Sequence, residues 1–436
     1  MKLLLAALLA LQCSPASAEQ TSQSAAHSEL LIVVNGASPV SVAIGNYYRN
    51  ARNVPAANVV TLQIPLADAT LGNAVQETIP SKAAFDSQIR VPLEQFLQQH
   101  GLVDSIEVIV LASGIPHRYA PLDCALDGAF LRDCPRASVD AELAVLFSSL
   151  VGAGGIGAHG ETVNPYFDSV VPFAAWRASH PQAPFLYLVS RLAGFQTPLD
   201  PASGIPVDVK SLIDCAQAPA VSGTVLVDED PHSAPGRRAG NDVLLRPIES
   251  LLSGRGVSVL HDQSDRFVAS PTPLLGYASW GSNDSHSGRA PFYGQVDGKP
   301  LPGRFAPRGI AVDLVSTNGR TFVTPVPVQD QSLSADLIHL GACGVAANAF
   351  EPLLIGLARA PILFRNYFQG TTAIESFYRS VPYLSWMNFY VGEALMTSTV
   401  RVDTGGDLDG DRDVDGDDAT IASLSLFLPP GPRGAQ

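Results

Sequence analysis

The sequence is short of charge. Only 16% of its 436 residues are Asp, Glu, Lys or Arg, well below the roughly 25% of an average soluble protein. Hydrophobic residues make up 46%, so large buried sheets are favoured over disorder. There is no basic patch, and the net charge of -14 excludes the electrostatic footprint of a nucleic-acid binder. No stretch beyond the N-terminus could cross a bilayer, since the longest apolar run, Val345 to Phe364, is interrupted by Glu351, Pro352, Arg359 and Pro361. No His-Glu-x-x-His zinc motif occurs, and the run from Gly276 to Gly281 misses the serine-hydrolase elbow by one residue. The chain has no internal repeats, and before residue 400 it has no low-complexity tract.

Export follows from the first residues. Lys2, the apolar run Leu3 to Leu11 and the small residues Ser14 to Ala18 form a secretory signal with cleavage after Ala18. Leu11-Gln12 is a poor lead-in to a lipidated Cys13, so plain export to the periplasm, envelope or medium is the reading. Of five cysteines, Cys124, Cys134, Cys215 and Cys343 then remain. Cys124 and Cys134 read as a local disulfide, while Cys215 and Cys343 stay open between a pair, buried thiols and free thiols.

The pattern of elements is α/β, with a doubly wound start. Residues 29–35 and 105–112 are continuous apolar strands, and the segment from Ser81 to His100 is amphipathic, with a new turn at Pro92. The Gly152 to Gly157 run follows a helix where a dinucleotide motif requires a strand, so it reads as a loop. The full division is a signal peptide (1–18), a linker (19–28), a first α/β subdomain (29–265) and a second (266–397). A linker (398–406), a calcium-type repeat (407–428) and a tail (429–436) follow.

Two strands organise the rest. Leu274 to Ser279 and Gly309 to Val315 each close in a polar turn, Trp280-Gly281-Ser282-Asn283 and Ser316-Thr317-Asn318-Gly319. Sheets of this class keep their sites at the carboxyl edge, so neighbouring strands would set these turns side by side. Trp280, Ser282 and Asn283 offer stacking and amide hydrogen bonds to a sugar or peptide; alternatively, Trp280 is packed and Asn283 closes a turn. A Cys343 nucleophile with His339 or His286 as base is the sharpest enzymatic arrangement, set against a buried thiol and a solvated helix-end histidine. His117 and Arg118 either line the same edge or are solvated.

Residues 401–418 hold eight Asp against Arg401 and Arg412. Asp407, Asp409, Asp411 and Asp418 stand at positions one, three, five and twelve of a loop, with Val414 at eight and the carbonyl of Asp413 at seven, a hard-oxygen set for Ca2+. The loop resembles one half of a type I dockerin. That resemblance implies calcium binding and, as a partner, a cohesin-like protein. Arg412 replaces the usual glycine, and the second copy that cohesin binding uses is absent.

The body resembles the gingipain-type cysteine peptidases, which have a caspase-like α/β fold. The resemblance runs over residues 29–395 through Ile32-Val33-Val34, Phe85 to Leu97, Ile106 to Gly114 and Tyr390 to Leu395. Tyr277 to Gly281 stands at that family's tyrosine, glycine, histidine, glycine turn, and Ser316 stands at its nucleophilic cysteine. Trp280 therefore replaces the base, and a serine replaces the thiol, so the resemblance implies the scaffold without its Cys-His chemistry. A hydrolase using Cys343 or Ser316 is the alternative. The chain is also similar, more closely, to a group of exported bacterial proteins at Asn164 to Phe167, Ser279 to Asn283 and Gly341 to Gly344, a likeness that implies no activity.

Overall fold

A computed structural model describes residues 26–66, 77–119, 137–149, 162–219, 222–231, 234–253, 256–264, 267–283, 293, 301–324, 331–398 and 400. The leader, Cys124 and Cys134, the Gly152 to Gly157 run, His286 and the acidic repeat all lie outside these residues.

Ten strands form one sheet: β1 (Leu30–Asn35), β2 (Val59–Leu62), β3 (Val108–Ala112), β4 (Leu188–Leu192), β5 (Thr224–Asp228), β6 (Ser258–Asp262), β7 (Leu274–Ser279), β8 (Phe305–Asp313), β9 (Gly344–Asn348) and β10 (Asn388–Gly392). Their order is β2-β1-β3-β4-β10-β9-β8-β7-β5-β6. Every pairing is parallel except that of β9 with β10, where Asn348 faces Asn388 and Gly344 faces Gly392. The sheet is therefore two parallel blocks of opposite polarity joined edge to edge, and the carboxyl edge of one block is the amino edge of the other. The inner strands β1, β3, β4, β5, β7 and β9 are buried along their whole length, which explains why they read as unbroken apolar or small-residue runs.

The helices that matter for the site are α1 (Pro39–Ala51), α2 (Val91–Gln99), α3 (Val139–Ala144), α4 (Val207–Cys215), α5 (Pro235–Gly240), α6 (Pro247–Leu252), α7 (Ser334–His339), α8 (Leu353–Gly356), α9 (Ala360–Phe368) and α10 (Ala373–Ser380). Local chemistry starts them. The Ser38 hydroxyl accepts the Ser41 N–H at 3.2 Å ahead of α1, and Ser138 does the same for Ala141 at 2.9 Å ahead of α3. Two π-helical turns, Asp86–Arg90 and Asn241–Leu245, lie just before Pro92 and Pro247. Proline has no N–H to donate to the preceding turn, so the helix widens there instead of breaking. The second of these turns carries Asn241, which the site uses.

Strands β5 and β6 belong to the same parallel block as β7, β8 and β9, while β10 returns to the block of β1 to β4. Helix α5 begins at Pro235, a favoured first-turn residue. Cys343 is neither free nor near the polar turns. It is bonded to Cys215 at the end of α4 with S–S 1.99 Å, and it immediately precedes β9, at the amino edge of its block. The reason is the crossover: β8 ends at Asp313, α7 returns along the sheet, and the chain re-enters at Gly344 paired with Ile310. A disulfide sulfur carries no thiolate, so Cys343 cannot be a nucleophile in this state.

Candidate ligand cleft at the carboxyl edge

Strands β7 and β8 pair in parallel with Ser279 opposite Asp313, so their two polar turns lie side by side. Between them and the segments around α5 and α8 is an open cleft of about 320 Å³, at the lower end of the range of small-ligand sites. Trp280, Asn283 and Ser316, all singled out in the sequence, line it. Arg237 and Glu351 line it too, with Leu314, Leu354 and Leu357 as the apolar wall.

The turn after β7 is held by its own polar groups. The Ser279 hydroxyl accepts the Gly281 N–H at 2.8 Å. Gly281 sits at φ 53, and a Cβ there would come within 2.5 Å of the Tyr293 hydroxyl, so only glycine serves. Ser282 and Ser332 lock the turn to the chain before α7, Ser332 N–H donating to Ser282 Oγ at 2.9 Å and Ser282 N–H to Ser332 Oγ at 3.2 Å. Asn283 donates to the Leu314 carbonyl at 2.7 Å and accepts from Gln331 at 3.3 Å. Ser282 and the Asn283 amide are thus spent on the turn itself, the alternative raised from the sequence.

Trp280 is buried, with its indole N–H donating to Asn241 Oδ1 at 2.7 Å. The Arg237 guanidinium lies 4.3 Å from the ring centroid, and Gly240 approaches the far edge so closely that a Cβ would sit 2.4 Å from it. One face and one edge of the indole are covered, so it forms a wall and not an open stacking platform. Arg237 is itself oriented by Asp230, whose fully buried carboxylate lies 3.3 Å from Nη1. On the opposite rim, Glu351 accepts the Leu353 N–H at 2.8 Å and holds Leu353 at φ 60, a left-handed conformation uncommon for leucine. Ser316 is half-buried and makes no hydrogen bond to another described residue.

A buried polar network underlies the cleft. Asp313 accepts the Tyr293 hydroxyl at 2.9 Å and the Asn318 amide, Asn318 Oδ1 accepts the Asn348 N–H at 2.7 Å, and Asn348 Oδ1 accepts Asn388 at 2.7 Å. Burial pushes Asp313 up to about 7, with the Tyr293 and Asn318 hydrogen bonds opposing the rise. Asp336, half-buried, is pushed up to about 6 by desolvation.

His117 and His339 stand away from the cleft. His339 ends α7, 63% exposed and 3.1 Å from Asp208, at the edge of the sheet opposite Ser316. His286 lies outside the described residues. His117 is neither solvated nor on the cleft: it packs edge-on to Phe322 and stacked on Phe389, and burial together with Arg191 and Arg118 holds it well below the usual imidazole range. Among the described residues no group of three or more His, Cys, Asp or Glu side chains is placed to hold a metal ion, and the calcium positions Asp407, Asp409, Asp411, Asp413 and Asp418 lie outside them. No described helix is long and apolar enough to cross a membrane. A scan of protein-family models and a search of curated proteins each return no match for this chain.

The sequence pointed to Trp280, Asn283 and Ser316 but not to Arg237, Asn241, Asp313 or Glu351. Arg237 and Asn241 come from a helix on the far side of a crossover, and nothing local marks them. Asp313 was visible as a carboxylate ending an apolar strand, the one signal that could have found it.

Proposed function

We propose that this chain is an exported binding protein. Its carboxyl-edge cleft recognises a ligand on a protease-like α/β scaffold, and a calcium-binding repeat at residues 407–428 stabilises it or attaches it to the envelope or to a protein partner. The observation that carries the reading is the cleft itself, where a packed Trp280 stands in place of a proton acceptor. Its N–H is already committed to Asn241, and an indole accepts no proton at neutral pH. The described histidines are engaged with other groups: His27 with Glu29, His100 with the Phe96 carbonyl, His117 with two phenylalanine rings, His180 with Trp176, His261 with Glu229 and Glu249, and His339 with Asp208. A thermal-shift screen of the full chain against short peptides and oligosaccharides tests it. At least one class should raise the melting temperature in a saturable way, and a flat response across the panel would contradict the reading.

A second reading, a serine hydrolase, is favoured by one observation: the Ser316 hydroxyl is half-buried, on the cleft wall and without a partner among the described residues. A fluorophosphonate probe decides it, since labelling lost in Ser316→Ala supports a nucleophile and absence of labelling removes it.

A further inference from the structure

We infer that the cleft selects the free carboxyl end of a peptide whose last side chain is aliphatic, an inference that rests on the binding reading above. The cleft has one lining cation among the described residues, Arg237, and it is pre-set for an anion. Its guanidinium is pinned over Trp280 at 4.3 Å and steadied at one nitrogen by Asp230 at 3.3 Å. It makes no hydrogen bond to another described residue, and 26% of the side chain remains exposed. A guanidinium carries five N–H donors in a rigid fork that fits a carboxylate in two-point fashion, and stacking on an aromatic ring removes the entropy it would otherwise lose on binding. The lining anion, Glu351, accepts the Leu353 N–H through one oxygen and so braces the rim, with the rest of its exposed carboxylate turned to solvent or ligand.

The remaining wall is aliphatic. Leu314, Leu354 and Leu357 line the cleft. An anion site beside an aliphatic wall fits a chain end that presents a carboxylate and a hydrocarbon side chain from one carbon. The free Ser316 hydroxyl, both donor and acceptor, suits the amide that precedes such an end. A sugar fits less well, because the indole it would stack on is only 4% exposed, with Arg237 over one face.

Calorimetric titration of the full chain with N-acetyl-Leu-Leu and with its C-terminal amide tests the inference. The acid should bind roughly tenfold or more tightly than the amide, the difference expected from one charge-assisted hydrogen-bonding pair. Arg237→Met should abolish that preference, and Arg237→Lys, which keeps the charge but not the fork, should retain part of it. Circular dichroism of each variant separates lost recognition from lost folding, and the acid-against-amide comparison on the unaltered chain decides the matter even if Arg237→Met fails to fold. Equal affinity for acid and amide overturns the carboxylate inference while leaving the binding reading intact. Binding of neither also overturns it, and the binding reading falls as well only if the wider ligand panel is silent.

Discussion

The indole N–H of Trp280 donates to Asn241 Oδ1 at 2.7 Å, and both side chains are buried. One residue directly follows β7 and the other sits in a π-helical turn, so this bond joins the strand's end to the helix that carries Arg237. Asn241 is held from its other side as well, its amide donating to the Asp230 carbonyl at 2.7 Å. Asn241→Ala leaves the indole N–H without its acceptor and should lower stability by about 1–3 kcal/mol. Urea unfolding measures this; a loss below the error of the method would mean the bond is not structural.

The Cys215–Cys343 disulfide closes a separation of 128 residues. On the loop-entropy view, a loop that long makes the bond worth about 4–5 kcal/mol, at the upper end of what disulfides contribute. The double variant Cys215→Ala, Cys343→Ala should unfold at markedly lower urea than the oxidised protein, and iodoacetamide should label neither position before reduction. Labelling of Cys343 in the native oxidised protein would contradict the bond and revive a free thiol.

Asp313 gives a pH dependence of definite sign. Burial raises its folded-state value from the ordinary 3.8 to about 7, so between those values the native state binds the proton more tightly than the unfolded chain. The stabilisation is complete below about pH 4 and is lost as the pH rises towards about 7. Asp336, raised to about 6, adds in the same direction. His117, held below the usual imidazole range, acts in the opposite sense over the same interval, so the readout is a difference: from about pH 5 to about pH 7 the urea midpoint of the unaltered chain should fall relative to that of Asp313→Asn. A difference that does not change, or that grows in favour of the unaltered chain, would contradict the buried acid.

The acidic repeat predicts calcium binding through Asp407, Asp409, Asp411, Asp413 and Asp418. Titration of the chelator-treated chain with Ca2+ should give a saturable heat that Asp407→Ala abolishes. No heat, or an unchanged heat in the variant, would remove the calcium assignment.

Much of the site was legible in the sequence because it is local. Leu274 to Asn283 and Gly309 to Gly319 read as strands ending in polar turns, and the structure pairs them in parallel. What was not legible depends on partners far away in the chain. Cys343 looked like a nucleophile candidate because its partner lies 128 residues off. His117 read as either lining the edge or solvated because the rings that enclose it, Phe322 and Phe389, come from distant segments. That β5 and β6 join the block of β7 to β9 was not legible either, because polarity is a property of the assembled sheet and nothing in their residues states it.

Gly236 offers the most direct test of the cleft. It lines the cleft, and a Cβ built there meets nothing within 4 Å, so a large side chain can fill the space without disturbing the fold. For any ligand that stabilises the unaltered chain, Gly236→Phe should weaken binding by at least about tenfold, or 1.4 kcal/mol, while its melting temperature without ligand stays the same. Undiminished binding in Gly236→Phe would show that the ligand sits elsewhere and would contradict the account.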